Sequence, residues 1–256
     1  MAAAPVPPLS APVSAPDAHP LSEGARIINT FIAPSKTFTD LRRNANWWAP
    51  FLLMAVVSTA FVYTVGQKIG FQKVAETQVQ MSPKQSAQLD NLPADQREQQ
   101  MQQRTKGTLV VSYIVPLFVL VFWVIIAGAL FATFKFAAGA DVSFKIAFAI
   151  VVFAGLPQVL KSLLATIAVL AGVSGDSFSF QNPIATNPGF LLNPADSAFW
   201  YSVASAFDIF MIWTLALSAL GFTYVSKVKR GTAFLIVFGW WLLITLLAAG
   251  LAGMFS

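Results

Sequence analysis

Charge disappears from this chain in blocks as long as a bilayer is thick. Residues 44–67, 107–134 and 231–256 contain no Asp, Glu, Lys or Arg. Two further apolar runs, 145–172 and 198–224, each hold a single interior charge, Lys161 and Asp208. A helix needs roughly 20 mostly apolar residues to cross the hydrocarbon core, and only helices and closed barrels satisfy their backbone there. The expected fold class is therefore an all-α membrane protein, a five-transmembrane-helix bundle with spans at about 47–66, 109–134, 145–172, 198–224 and 232–254.

Composition narrows the function classes. The chain is 56% hydrophobic and 11% charged, whereas soluble domains carry about 25% charged residues, which excludes an ordinary soluble enzyme. It has no cysteine, so disulfides, thiolate metal sites, cysteine nucleophiles and lipidated cysteines are out. Its one histidine, His19, lies in a proline-rich tail. There is no H-E-x-x-H, no pair of intramembrane glutamates, no G-x-S-x-G and no Gly-rich phosphate loop. No catalytic, cofactor or metal site is expected. The net charge of +5 comes from lysines and arginines beside the spans, as membrane flanks require, so nucleic acid is not an expected partner. The expected partners are the lipid bilayer and, beyond it, other membrane proteins or a second copy of the chain.

The segments around the spans differ in kind. Residues 1–21 carry Pro5, Pro7, Pro8, Pro12, Pro16 and Pro20 among alanines and serines, the composition of a disordered tail. Residues 22–46 read as an amphipathic interfacial segment. Ile27, Ile28, Phe31 and Ile32 share one helical face, Pro34 breaks it, and Phe38 and Leu41 continue opposite Lys36, Arg42 and Arg43. Trp47 and Trp48 follow, where an aromatic belt would sit. The remainder, 47–256, is the membrane domain. Its polar 67–107 loop is rich in glutamine, and Ser82-Pro83 and Leu92-Pro93 predict starts of short helices. The 173–197 loop has three Asn-Pro pairs that predict turns.

Basic residues collect on the cytoplasmic side. The 173–197 loop has no Lys or Arg and the 225–231 loop has Lys227, Lys229 and Arg230, which predicts a cytoplasmic N-terminus and an external C-terminus. Six basic residues in the 67–107 loop run against that rule, partly offset by Glu76, Asp90, Asp95 and Glu98.

Lys161 and Asp208 are the informative residues. Each costs about 2.5–3.5 kcal/mol at mid-membrane, so each needs a partner or a cavity. Each also lies sixteen residues from the inner end of its span, Lys145 or Tyr224, which predicts equal depth on antiparallel helices and a possible pair. Such a pair is either structural or an ion or proton site; one carboxylate without a relay chain favours the structural reading. Pro157 and Pro116 predict helix kinks, with Gln158 and Ser162 placed to satisfy polar groups freed at the first. Ala248, Ala249, Ala252 and Gly253 suit close helix packing.

Four stretches resemble bacterial Yip-domain proteins. They are Ala33-Pro34-Ser35-Lys36-Thr37-Phe38 with Trp47-Trp48-Ala49-Pro50, then Gly155-Leu156-Pro157-Gln158-Val159-Leu160, then Phe207-Asp208-Ile209-Phe210-Met211-Ile212-Trp213. The resemblance implies a five-helix bundle with a cytoplasmic N-terminus, here in a bacterial inner membrane, and marks Pro34, Pro157, Asp208 and Trp213 as motif positions without catalytic roles. Eukaryotic members are named for Ypt/Rab GTPases, but the resemblance is to prokaryotic members with the long polar first loop. The expected function is non-enzymatic: organising membrane or partner proteins through helix packing and the 67–107 loop. The alternative is a small transporter or channel using Lys161 and Asp208.

Overall fold

The computed structural model describes residues 20–175 and 178–255, and these are helix and loop throughout. The tail expected at 1–21 lies outside the described residues apart from Pro20 and Leu21. Four helical stretches are long and apolar enough to cross a membrane, and a bent pair would make a fifth crossing. The chain is an all-α, multi-pass membrane protein.

The chain opens with two short helices, α1 (Glu23–Ile32) and α2 (Pro34–Asp40). Ser22 caps α1 by accepting from the Ala25 amide at 3.2 Å. Pro34 occupies the first turn of α2, where its missing N–H costs nothing. Arg26 ties the two helices together. Its Nε donates to Asp40 Oδ2 at 2.7 Å, and its carbonyl accepts from the Thr30 and Thr37 hydroxyls at 2.8 and 2.9 Å. Arg26, Phe38 and Leu41 are fully buried.

The single apolar face expected on α1 is split. Ile27 and Phe31 pack on the core, while Ile28 and Ile32 stay 60% and 75% exposed. The cause is that α2 folds back beside α1 and presents Phe38 to the bundle, so only part of the α1 stripe faces protein. Arg26 is neutralised internally, by Asp40 and by Glu23 at 3.3 Å.

Helix α3 (Trp48–Lys68) is the first apolar span, and Gly70, at φ +86°, turns the chain into α4 (Phe71–Gln80). That dihedral is strained for any residue with a Cβ. Helix α5 (Pro83–Asp90) follows, then α6 (Ala94–Ala132), which closes in a π turn at Thr133–Ala137. The expected 67–107 loop therefore holds only two separate helices. Its last part is the start of α6, because Ala94–Lys106 consists almost wholly of strong helix formers and nothing breaks it before the apolar run begins. At 39 residues, α6 is roughly 58 Å long, about twice the hydrocarbon thickness, so a single crossing needs no part of its polar first third. Helix α4 lies back along it, and α5 packs on α4. Arg104 Nη1 donates to Gln85 Oε1 at 2.7 Å, and Arg97 Nη2 donates to the Asp90 carbonyl at 2.9 Å. Helix α6 runs unbroken through Pro116.

Helices α7 (Phe144–Ala154) and α8 (Pro157–Leu170) together form the most buried apolar span. Pro157 starts α8, and the Phe153 carbonyl that it leaves without an i+4 donor takes the Leu156 amide instead, at 3.1 Å. The run 198–224, expected as one helix, is two: α9 (Ala198–Ala206) and α10 (Ile209–Val225), bent by 53° at Phe207–Asp208. Helix α11 (Arg230–Phe255) completes the fold. Helix α10 packs closely on α2 and α7 at Gly221, where a Cβ would meet Ile150 Cγ2 at 2.5 Å and the Phe38 ring at 3.1 Å.

Candidate functional site: a capped ion pair at a helix break

Asp208 belongs to no helix interior. It is the N-cap of α10, and its Oδ1 accepts from the Phe210 and Met211 amides at 3.0 and 3.3 Å. Two otherwise orphaned helix donors are thereby satisfied, and the positive end of the α10 dipole faces the carboxylate. This local chemistry explains the bend: an aspartate before an apolar run starts a new helix more readily than it continues an old one.

Oδ2 is equally occupied. Lys161 Nζ, from α8, donates to it at 2.9 Å. The Thr186 hydroxyl also donates to it, and Asn187 Nδ2 does so at 3.4 Å. Asp208 is only 3% exposed, so its five donors supply the compensation a buried carboxylate requires. The structure thus brings Lys161 and Asp208 together, from α8 and from the start of α10.

The residues that sequence reasoning missed come from the 173–197 loop. The Asn-Pro pairs there do more than turn the chain. The Thr186 carbonyl accepts the Ile209 amide at 3.1 Å. Asn187 donates to Asn182 Oδ1, and Asn182 Nδ2 in turn donates to Tyr201 OH at 3.2 Å and Ser205 Oγ at 2.9 Å on α9. A 3₁₀ turn at Pro188–Leu191 presses its backbone on α9, since a Cβ on Gly189 would lie 2.7 Å from the Ser205 amide nitrogen. One signal pointed to this: a loop without lysine or arginine, with repeated asparagines, preceding an apolar run that contains a lone aspartate.

The remaining motif positions sit at joints. Pro34 and Pro157 start helices, and Trp213 meets Phe31 edge-on with ring centroids 5.6 Å apart, holding α1 to α10. Gln158 Nε2 donates to Thr214 Oγ1 at 3.3 Å, and Ser162 Oγ donates to the Gln158 carbonyl at 3.0 Å. Beside the pair lies a cavity of about 630 Å³ walled by α6, α8, α9, α10 and α11. Lys161 and Asp208 border it together with Gln158, Ser205, Trp240 and Trp241. Among the described residues no group of three or more His, Cys, Asp or Glu side chains is placed to hold a metal ion.

Together these features define a polytopic helical membrane protein with a hydrogen-bonded ion pair at a helix break. The chain belongs to the Yip1 family: the Yip1 domain profile matches residues 28–251. No curated protein and no solved structure matches it.

Proposed function

We propose that the protein is a non-enzymatic membrane organiser of the prokaryotic Yip-domain type. In this reading, 22–46 rests partly in the headgroup region through Ile28 and Ile32. Residues 47–256 then cross the membrane five times from a cytoplasmic N-terminus. The pair α9–α10 counts as one broken crossing. The polar hairpin of α4, α5 and the start of α6 is the surface offered to partner proteins or to a second copy of the chain.

The observation that carries this reading is the saturation of Asp208. With five donors on two oxygens, the carboxylate holds α8, α10 and the 173–197 loop together and has no vacant lone pair to pass an ion along. Lys161 and Asp208 act as a structural pin, and Pro157 and Pro116 shape the helices around it.

Photocrosslinkers at Gln99 and Gln103, both exposed on α6, test the organiser reading in native membranes. The expected result is one dominant adduct, to a discrete membrane protein or to the chain itself. A diffuse, unsaturable adduct pattern at both positions would remove the hairpin as an interaction surface. A second reading, a small transporter or channel, draws support from the cavity that reaches Lys161; solute flux across reconstituted vesicles separates the two.

A further inference from the structure

The cavity beside the ion pair is unlike the rest of the lipid-facing surface. Its volume, about 630 Å³, falls within the roughly 300–1,000 Å³ of sites that enclose small molecules. It is strongly two-faced. Phe122, Trp123, Ile126, Trp240, Trp241 and Ile244, from α6 and α11, make an apolar wall. The polar lining comes mostly from α8, α9 and α10, with Gln158, Lys161, Ser202, Ser205 and Thr214, and from Thr245 on α11. The helices bearing the apolar wall are tied at one end, where Trp240 Nε1 donates to Thr133 Oγ1 at 3.0 Å. Both are largely exposed along their lengths, so the cavity is flanked by lipid-facing helices.

At the polar end the Lys161 and Asp208 charges cancel, and what recommends the site to an anion's oxygens is unused donors. An ammonium has three donors, and Lys161 spends one, on Asp208. Its side chain is 17% exposed against 5% for that of Asp208. The Asp208 charge is already met by Lys161, by Thr186 and Asn187, and by two amides at the positive end of α10. What faces the cavity is therefore a surplus of donors.

We propose that the cavity is a binding site for an acidic lipid, with a phosphate-bearing head at Lys161 and an acyl chain along the wall formed by α6 and α11. The head gains charge-assisted hydrogen bonds away from bulk water, and the chain fills apolar space. Such a ligand would close the gap between α6 and α11 whether or not the α4–α5–α6 hairpin binds a partner.

The full chain is reconstituted in phosphatidylcholine vesicles doped with either phosphatidic acid or phosphatidylcholine bearing a diazirine in the tail. After illumination, labelled residues are mapped by mass spectrometry. The acidic probe is expected to concentrate on Ile126, Ile244 and Ala248, and the zwitterionic probe on the outward Leu243, Leu247 and Leu251. Ala248→Phe, which places a ring in the cavity, should cut the acidic probe's cavity labelling about tenfold, equivalent to roughly 1.4 kcal/mol, and leave outward labelling unchanged. Excess inorganic phosphate should not displace the lipid. Identical maps for the two probes would overturn the proposal. So would displacement by inorganic phosphate, or cavity labelling indifferent to Ala248→Phe in a folded variant. Should that variant fail to fold, the two wild-type maps decide alone.

Discussion

Replacing Lys161 by Met leaves Asp208 charged and buried. Breaking such a pair from one side costs about 3–5 kcal/mol. Four of the five donors on Asp208 survive the change, which puts the expected loss at the lower end, about 3 kcal/mol. Asp208→Asn removes the charge from the other side and keeps a side-chain oxygen for the α10 cap. It strands the Lys161 ammonium instead, at a similar cost. The double variant, Lys161→Met with Asp208→Asn, removes both charges together and should lose only about 1 kcal/mol, a coupling of several kcal/mol that separate sites never show. Replacing Asp208 by Leu in the double variant should be worse by about 1 kcal/mol, since the cap goes. Thermal unfolding in detergent, followed through the seven tryptophans, reads these differences. By the scaling of soluble domains each single variant should fall by about 6–12 °C and the Met/Asn double variant by far less. Additive losses would refute the pairing.

Three other perturbations probe the frame around the pair. Gly221→Leu places a side chain where a Cβ alone meets Ile150 at 2.5 Å; overpacking of this kind costs about 1–3 kcal/mol and should loosen α2, seen as faster tryptic cleavage at Lys36 and Arg42. Arg26→Met strands the Asp40 carboxylate, 7% exposed, at about 3–5 kcal/mol; Arg26→Met with Asp40→Leu should recover much of that loss in the same unfolding assay. For orientation, cysteines replacing Gln88 and Lys227 in this cysteine-free chain should label from outside intact cells at 88 and not at 227, and the opposite pattern would reverse the topology.

The runs without charge located the apolar helices because a bilayer tolerates nothing else over that length, and that signal survives ignorance of tertiary contacts. What it cannot register is a break within an apolar run. One charge does not end the apolar run 198–224, so only the capping preference of Asp208 marks the bend. The joining of the polar loop to the second span was hidden for the opposite reason. Polarity changes sharply near Gly107, but helix propensity does not, and the helix follows propensity. Residues 22–41 were legible as amphipathic but not as docked. Their burial depends on Gly221, nearly 200 residues away in sequence, giving Phe38 room to approach. At the site, the two charges announced themselves by their cost in lipid. Thr186, Asn182 and Asn187 did not, because polar residues in a loop look alike whether they face water or fold inward.

A closed, structural Asp208 network carries no protons. Proton flux in vesicles reconstituted with the wild-type chain under an imposed pH gradient and membrane potential tests it most directly. The expected flux equals that of protein-free vesicles and is unchanged by Asp208→Asn. Flux well above the protein-free rate that is lost in a folded Asp208→Asn variant would contradict it.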